Sequence, residues 1–244
     1  MIRECLMQGS SRERLVVALD LPSADEALSM ARLLEGKVGM LKVGLELFCA
    51  AGPAIVKELQ VFAPIFLDLK FHDIPNTVQR ALEAVLRLDP RLVNIHASGG
   101  ALMMETAAEV VRAHRAAGGQ TELLAVTVLT SLDREALVRL GSLDDPGDLA
   151  LHLAKLAKEC GCDGVVCSAR EAGAVRDACG EAFHRLTPGI RPRDEQAMDQ
   201  ARVVDPAQAL RNGATWLVVG RPITQAENPA AAAQAILKAM EEAL

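Results

Sequence analysis

The chain has 244 residues, half of them hydrophobic, and its 26 basic and 32 acidic side chains give a formal net charge of −6 at pH 7. This balance of charge disfavours nonspecific binding to nucleic acid or to an anionic membrane. The longest apolar segments stop short of the ~20 residues that a membrane-spanning helix needs, and residues 1–14 lack the apolar stretch of a secretory signal, so we expect a cytoplasmic protein.

Short apolar runs recur evenly along the chain, and no linker or low-complexity segment divides it. Each run has the length of a buried strand, and the segments between the runs carry apolar residues at the three- and four-residue spacing of helices. In chain order the predicted strands are Leu15 to Leu19, Met40 to Leu45, Ile65 to Leu69, Leu92 to Ile95, Leu123 to Leu129, Gly164 to Cys167, His184 to Thr187 and Trp216 to Val219.

The alternation of strands and helices implies parallel pairing of the strands. Eight such units in a chain of this length match a closed barrel better than an open sheet. We therefore predict an α/β fold, a single-domain (β/α)₈ TIM barrel over residues 14–244, preceded by an N-terminal tail of residues 1–13. The clearest helical patterns are Ser23 to Leu34, Asn76 to Leu88, Leu102 to Ala117, Leu149 to Cys160, Pro206 to Arg211 and Pro229 to Leu244.

Polar side chains close almost every predicted strand. In a barrel of this kind catalytic groups lie at the carboxyl ends of the strands, and the two-residue alternation of a strand turns such side chains toward the interior. Any one of them taken alone is more often a structural residue, but their joint placement favours one active site. They are Asp20, Lys42, Asp68, Lys70, Asn94, His96, Thr130, Ser131 and Ser168.

The third predicted strand carries charges where a buried strand is normally apolar. Asp68 and Lys70 are two residues apart and should share one face of the strand, while Asp73 lies just beyond its end. Desolvation of a buried carboxylate or a buried ammonium costs on the order of several kcal/mol, so a contribution to folding stability is a poor explanation for the cluster. An ordinary salt bridge is the alternative, and the polar strand ends make it the weaker interpretation.

Two later loops are suited to an anion. Arg191 follows the seventh predicted strand in a Thr-Pro-Gly-Ile-Arg stretch, and Gly220 and Arg221 follow the eighth. Barrels of this kind often hold a phosphate with these two loops, because glycine lets backbone N–H groups approach and arginine binds phosphate with two hydrogen bonds. We therefore predict a phosphorylated ligand. Residues 191–202, which include Gln200, have little apolar periodicity and are predicted to form a lid.

The stretch from Asp68 to Thr77, with the sequence DLKFHDIPNT, closely resembles the central motif of the orotidine 5′-phosphate decarboxylase family. Further similar segments, VVALD, LKVG, HASGG, TPGIR and VGRP, follow in the family's order from about residue 14 onward. The resemblance implies a homodimeric barrel that converts orotidine 5′-monophosphate to UMP and CO₂, the last step of de novo UMP synthesis, without metal or organic cofactor.

The resemblance also implies roles for individual residues. Lys42, Asp68, Lys70 and Asp73 would form a charged array, in which Lys70 stabilises and then protonates a carbanion at C6 of the pyrimidine. Asp73 and Thr77 would reach into the partner subunit's site. Asp20 and Lys42 would contact the ribose hydroxyls, Thr130 and Ser131 the edge of the base, and Arg191, Gln200, Gly220 and Arg221 the phosphate.

Two alternatives stay open at this point. The shorter pattern D-x-K-x-x-D is shared with sugar-phosphate decarboxylases and aldolases of the same superfamily, which are expected to need Mg²⁺. A barrel that binds a nucleotide phosphate and catalyses nothing is the other alternative. A structural zinc site is not expected, because Cys160 and Cys162 lack a second pair of ligands at suitable spacing, and we expect the cysteines to be reduced.

Overall fold

The computed structural model describes residues 10–191 and 204–243, and its eight parallel strands close into a barrel in the order of the sequence. The prediction of a (β/α)₈ barrel is confirmed, and the predicted tail, residues 1–13, falls largely outside the described residues. The strands are β1 (Leu15–Ala18), β2 (Met40–Gly44), β3 (Ile65–Phe71), β4 (Leu92–His96), β5 (Glu122–Val126), β6 (Gly164–Val166), β7 (His184–Thr187) and β8 (Trp216–Val219).

Helices surround the barrel, and several begin with signals that are visible in the sequence. The side chains of Asp145, Asp205 and Asn228 accept hydrogen bonds from backbone N–H groups of the first turn, and proline follows each of them at the first helical position. The α-helices are α1 (Ala24–Leu34), α2 (Leu45–Ala51), α3 (Ala54–Leu59), α4 (Pro75–Val85), α5 (Ala101–Ala116), α6 (Arg134–Arg139), α7 (Pro146–Glu159), α8 (Ala172–Cys179), α9 (Pro206–Arg211), α10 (Arg221–Thr224) and α11 (Pro229–Glu241).

None of the helices in the described ranges is long and apolar enough to cross a membrane. Their apolar faces instead cover the outside of the barrel, where they pack on outward-facing strand residues such as Val17, Leu41 and Leu67. The inside of the barrel is filled by the alternate residues of the same strands. This inner cluster comprises Val16, Ala18, Met40, Phe66, Leu92, Leu124, Leu186, Trp216 and Val218, with Val166 packed against it.

The carboxyl ends of six strands differ from the prediction, by one residue in β1, β2, β4 and β6, by two in β3 and by three in β5. The fifth strand was predicted to run to Leu129 but ends at Val126, which lies opposite Val166, the residue at which the neighbouring strand β6 also ends. The second strand ends at Gly44 rather than Leu45, since α2 begins at Leu45. In both places the segment that follows the strand, at the carboxyl end of the barrel, begins earlier than predicted.

The opposite, amino-terminal end of the barrel is fastened by a buried arginine. Arg185 is 2% exposed, and its guanidinium donates to the carbonyls of Gly213 and Phe183, each over 2.6 Å, and to those of Gly180 and Glu181 at 3.2 and 3.3 Å. One side chain thereby ties the segment before β7 to the segment before β8. A buried guanidinium is tolerated here because its N–H groups are satisfied by carbonyls.

We predict that Arg185→Met lowers the free energy of unfolding by about 3 kcal/mol, since several buried carbonyls lose their donor. Arg176→Met is the matched control, because the Arg176 side chain is about one-third exposed and pairs with the surface carboxylates of Asp177 and Glu181. It should cost less than about 1 kcal/mol. Urea unfolding of both variants measures the difference, and equal losses would contradict this account of Arg185.

Candidate active site

A cleft of about 550 Å³ opens at the carboxyl ends of the strands. Its volume lies in the range of small-molecule sites. Apolar residues of the inner cluster form its floor, among them Ala18, Phe66 and Val218. Eight of the residues predicted for the site line it together, and they come from both halves of the chain: Asp20, Lys42, Asp68, Lys70, Thr130, Arg191, Gly220 and Arg221.

Asp68 lies at the centre of the charged part of the cleft. It is 6% exposed, and its two carboxylate oxygens have different partners. Oδ1 accepts hydrogen bonds from Lys70 Nζ and from the side-chain amide of Asn94, each over 2.6 Å, and Oδ2 lies 3.3 Å from Lys42 Nζ. Neighbouring strands β2, β3 and β4 therefore each supply one donor to the same carboxylate.

Lys42 links Asp68 to a second carboxylate. Its Nζ donates to Asp20 Oδ1 at 2.8 Å, and Asp20 extends into the open part of the cleft, where its side chain is about half exposed. Gly44 leaves the room for this pair: a Cβ at that position would lie 2.8 Å from Asp20 Oδ1 and 2.9 Å from Lys42 Nζ. The glycine at the end of β2 is thus part of the site's construction, although its backbone needs no unusual dihedral angle.

Lys70 occupies an unusual backbone conformation. Its φ is 50°, in the left-handed region that residues with a side chain rarely adopt. The pairing of β3 with β4 shifts there, from Leu67 opposite Val93 to Phe71 opposite Ile95, so β3 advances four residues while β4 advances two. Asp68 and Lys70 meet as predicted, but a bulge, and not the alternation of a regular strand, brings their side chains together.

The charges of the array support one another. Burial alone would lower the pKa of Lys42, but Asp68 and Asp20 outweigh it and raise that pKa above its ordinary value. Burial alone would raise the pKa of Asp68, but Lys42, Lys70 and the hydrogen bond from Asn94 hold it below the usual value. Both shifts favour the ionised forms, so Lys42 is an ammonium and Asp68 a carboxylate at neutral pH.

A pair of imidazoles lies beside this array. His96, at the end of β4, is half-buried, and its ring centroid is 5.3 Å from that of His72, which follows β3. Burial, His72 and Lys70 together lower the pKa of His96. His96 is therefore largely neutral at pH 7 and adds little charge to the array.

The opposite wall of the cleft carries the predicted anion-binding residues. Arg191 follows β7 and is 7% exposed, and its backbone N–H donates to the carbonyl of Val204 at 3.2 Å. Gly220 and Arg221 follow β8, and α10 begins at Arg221. The two arginines thus reach the cleft from adjacent strands, on the side away from Asp68 and Lys70 in strand order.

Four predicted site residues do not line the cleft of the single chain. Ser131 is exposed next to Thr130. Asp73 and Thr77 are exposed at the start of α4, where Asp73 accepts a hydrogen bond from the backbone N–H of Ile74. Gln200 lies outside the described residues.

Sequence reasoning placed three further residues, Asn94, His96 and Ser168, at the strand ends without giving them a role. Asn94 contacts Asp68 directly, and Ser168 instead accepts a hydrogen bond from the backbone N–H of Arg170 in the turn before α8. In residues 10–191 and 204–243 no group of three or more His, Cys, Asp and Glu side chains is arranged to hold a metal ion. The five cysteines in this part of the chain are free thiols.

The fold and the cleft together define a (β/α)₈-barrel protein with a charged array at the mouth of the barrel. The model of the orotidine 5′-phosphate decarboxylase / HUMPS family matches residues 13–236. Proteins named orotidine 5′-phosphate decarboxylase from Alcanivorax borkumensis and Nitrosococcus oceani are 48% and 49% identical to the chain, over 93% and 92% of its length and 97% and 96% of theirs.

A solved structure of orotidine 5′-phosphate decarboxylase from Lactobacillus acidophilus is 38% identical, with a TM-score of 0.82 over 93% of this chain and 98% of that one. The chain belongs to the orotidine 5′-phosphate decarboxylase / HUMPS family. The family resemblance drawn from the sequence is therefore confirmed, as is the class of enzyme, a carboxy-lyase by the names of its relatives. The roles of individual residues stay predictions.

The backbone at Lys70 gives a testable consequence. We predict that Lys70→Gly is more stable than Lys70→Ala by about 1 kcal/mol, because both lose the ammonium but only glycine adopts a positive φ without cost. At an ordinary strand position the order is reversed. Urea unfolding of the two variants measures the difference, and a Lys70→Ala variant of equal or greater stability would show that the backbone there is not strained.

Proposed function

We propose that the protein decarboxylates orotidine 5′-monophosphate to UMP and CO₂, the last step of de novo UMP synthesis. The observation that carries the proposal is the contact of Lys70 Nζ with Asp68 at 2.6 Å on one side of a cleft whose other side carries Arg191 and Arg221. Membership of the family supports the same reaction. The Lys70–Asp68 pair suits the reacting carboxylate at one end of a ligand. The two arginines on the other side of the cleft suit a phosphate at its other end.

The charges fit the chemistry of this reaction. Loss of CO₂ from C6 of the pyrimidine leaves an electron pair that the ring delocalises poorly, so the site must stabilise negative charge at C6 and then supply a proton. We assign both tasks to Lys70, whose ammonium is aimed by its hydrogen bond to Asp68. The breaking C–C bond leaves its electrons on C6, and the Nζ–H bond then breaks as the new C6–H bond forms.

Asp68 has a second effect in this proposal. Its carboxylate would face the substrate carboxylate, and this repulsion is relieved when CO₂ leaves. We give the repulsion less weight than the stabilisation of the transition state, because the contribution of ground-state destabilisation is contested. Asp68 also keeps Lys42 and Lys70 apart and correctly directed, and Lys42 holds Asp20 where it can accept a hydrogen bond from a ribose hydroxyl.

The remaining contacts follow from the walls of the cleft. Thr130 is assigned to the edge of the base together with Ser131, which needs the loop after β5 to move inward. Arg191, Gly220 and Arg221 are assigned to the phosphate, with Gln200 as a further contact. Binding energy gained at the phosphate can lower the barrier at C6 if it is used to close and order the site.

We further propose that the active form is a homodimer in which Asp73 and Thr77 enter the partner subunit's site. Two observations support a second copy on this face. Asp73 and Thr77 are exposed and outside the cleft of their own chain. Large apolar side chains are also exposed in the segments that follow β2, β3 and β4, and a partner would cover them: Leu45 at 54%, Ile74 at 66% and Leu102 at 67%.

The direct test of the function follows the ultraviolet absorbance of orotidine 5′-monophosphate in the presence of excess EDTA, with Lys70→Ala beside the wild type. We expect rapid loss of substrate with the wild type and none with the variant. No turnover by folded wild type would refute the proposal. Turnover of a sugar phosphate that requires Mg²⁺ would then favour the aldolase or decarboxylase alternative, and tight binding of UMP without turnover would favour a binding protein.

The phosphate assignment gives a second prediction. Arg221→Ala should lower kcat/KM for orotidine 5′-monophosphate by about a hundredfold, because a charge-assisted pair of hydrogen bonds is lost. The variant and the wild type should process orotidine, which has no phosphate, at the same rate. Arg211→Ala, an exposed arginine on α9 outside the cleft, is the matched control. Near-normal kcat/KM in Arg221→Ala would refute the assignment.

The dimer gives a third prediction, based on mixing two inactive variants. If Asp73 acts across the interface, a heterodimer of Lys70→Ala and Asp73→Asn chains has one intact site, and an equal mixture should regain about a quarter of wild-type activity. A mixture of Lys70→Ala with Asp68→Asn is the matched control, since both changes affect the chain's own cleft and no intact site can form. If the first mixture regains no activity after subunit exchange, the proposal that Asp73 acts in the partner's site is contradicted.

A further inference from the structure

Asn94 lies behind the charged array on β4 and is completely buried. It faces the interior of the barrel between two apolar neighbours in the strand, Val93 and Ile95, which face outward into the helical layer. Its partner across the β4–β5 pairing is Leu124, which belongs to the apolar inner cluster. A primary amide in such surroundings is costly unless both of its ends form hydrogen bonds.

Both ends of the Asn94 amide are used, and both point to β3. The amide nitrogen donates to Asp68 Oδ1 at 2.6 Å, and the amide oxygen accepts a hydrogen bond from the backbone N–H of Lys70 at 2.8 Å. Because a carboxylate only accepts and a backbone N–H only donates, these partners fix the orientation of the amide. A single side chain thus binds the two residues on either side of Leu69, within the irregular part of β3.

The backbone contact matters because Lys70 has a positive φ. A residue with a side chain leaves this conformation unless its surroundings hold it there. In a regular ladder the Lys70 N–H would bond to a backbone carbonyl of β4, but the register shift removes that arrangement, and Asn94 provides the acceptor instead. Asn94 therefore holds the bulge that presents the Lys70 ammonium to the cleft.

We propose that Asn94 is a positioning residue for decarboxylation, which fixes Lys70 through its backbone and Asp68 through its carboxylate without contacting the substrate. The inference rests on the proposed function, because it assigns Asn94 to the geometry of that reaction. Asp68 Oδ1 accepts one hydrogen bond from Lys70 Nζ and one from the side-chain amide of Asn94, each over 2.6 Å. Rotation of the carboxylate away from Lys70 would therefore break both hydrogen bonds. The amide thereby restricts the direction in which Lys70 points.

The charged and titratable groups around this contact are few in the described structure. Lys42 approaches Asp68 from β2, Lys70 from β3, and His96 follows Asn94 on its own strand with His72 against it. On the β5 side Leu124 and Val126 are apolar. Asn94 is one of the groups that hold the pKa of Asp68 down, so loss of its donor should move the acid limb of the rate profile to higher pH.

The first test compares Asn94→Ala with the wild type in the turnover of orotidine 5′-monophosphate. We expect kcat to fall by about tenfold to a hundredfold, the loss that removal of a hydrogen bond to a charged group produces, and the affinity for UMP to change by less than about threefold. Thr121→Val is the matched control, since the buried Thr121 hydroxyl donates to the carbonyl of Pro90 over 2.6 Å at the amino-terminal end of β5. It should leave kcat unchanged.

The second test uses Asn94→Asp, which has the same shape. The new carboxyl group can still accept from the Lys70 N–H, but when ionised it opposes the Asp68 carboxylate. When it takes up a proton it can donate to Asp68 as the amide does. We therefore expect kcat of this variant to rise by about fivefold or more as the pH falls from about 8 to about 5. The kcat of the wild type should not rise over the same range.

The outcomes separate the inference from the function on which it rests. No turnover by the wild type overturns the proposed function. Turnover by the wild type together with either a kcat for Asn94→Ala within about twofold of wild type, or no rise for Asn94→Asp at low pH, overturns the positioning role. If Asn94→Ala does not fold, the isosteric Asn94→Asp decides alone, with the concentration of folded sites counted by titration with UMP.

Discussion

The buried carboxylate of Asp68 is the interaction on which the rest of the site depends. A carboxylate that is 6% exposed is stable only with partners, and Asp68 obtains them from three consecutive strands through Lys42, Lys70 and Asn94. Removal of any one donor leaves a charge that the others must compensate. The arrangement therefore fixes the directions of two ammonium groups at the mouth of the barrel, where the proposed chemistry needs them.

The barrel makes this arrangement possible because residues that stabilise the fold and residues of the site lie at opposite ends. At the amino-terminal end, Arg185 fastens neighbouring segments through carbonyl contacts and has no access to the cleft. Between the ends, the inner cluster of apolar side chains forms the floor of the cleft. At the carboxyl end, strained and charged residues are tolerated because the packing below them is already complete. The free energy of folding from the core offsets the cost of the left-handed backbone at Lys70.

Much of this could be predicted from the sequence. The number of apolar runs predicted the eight-stranded barrel. The two-residue alternation of strands predicted that Lys42, Asp68 and Lys70 lie together at the carboxyl ends of the strands. The bulge in β3 could not be predicted, because a register shift depends on which residues of β4 lie opposite, and a single strand's pattern does not contain that information. The role of Asn94 was missed for the same reason. The early end of β5 likewise depends on the next strand, because β6 ends at Val166, opposite Val126.

The central claim is that Lys70 stabilises a carbanion at C6 and exchanges a proton with it. The most direct measurement is the exchange of the C6 hydrogen of UMP for deuterium in D₂O, followed by proton NMR, because it uses the product alone and reports only the carbanion step. The account predicts that wild type catalyses the exchange and that Lys70→Ala, with UMP bound at saturation, does not. Exchange by Lys70→Ala at the wild-type rate would contradict it.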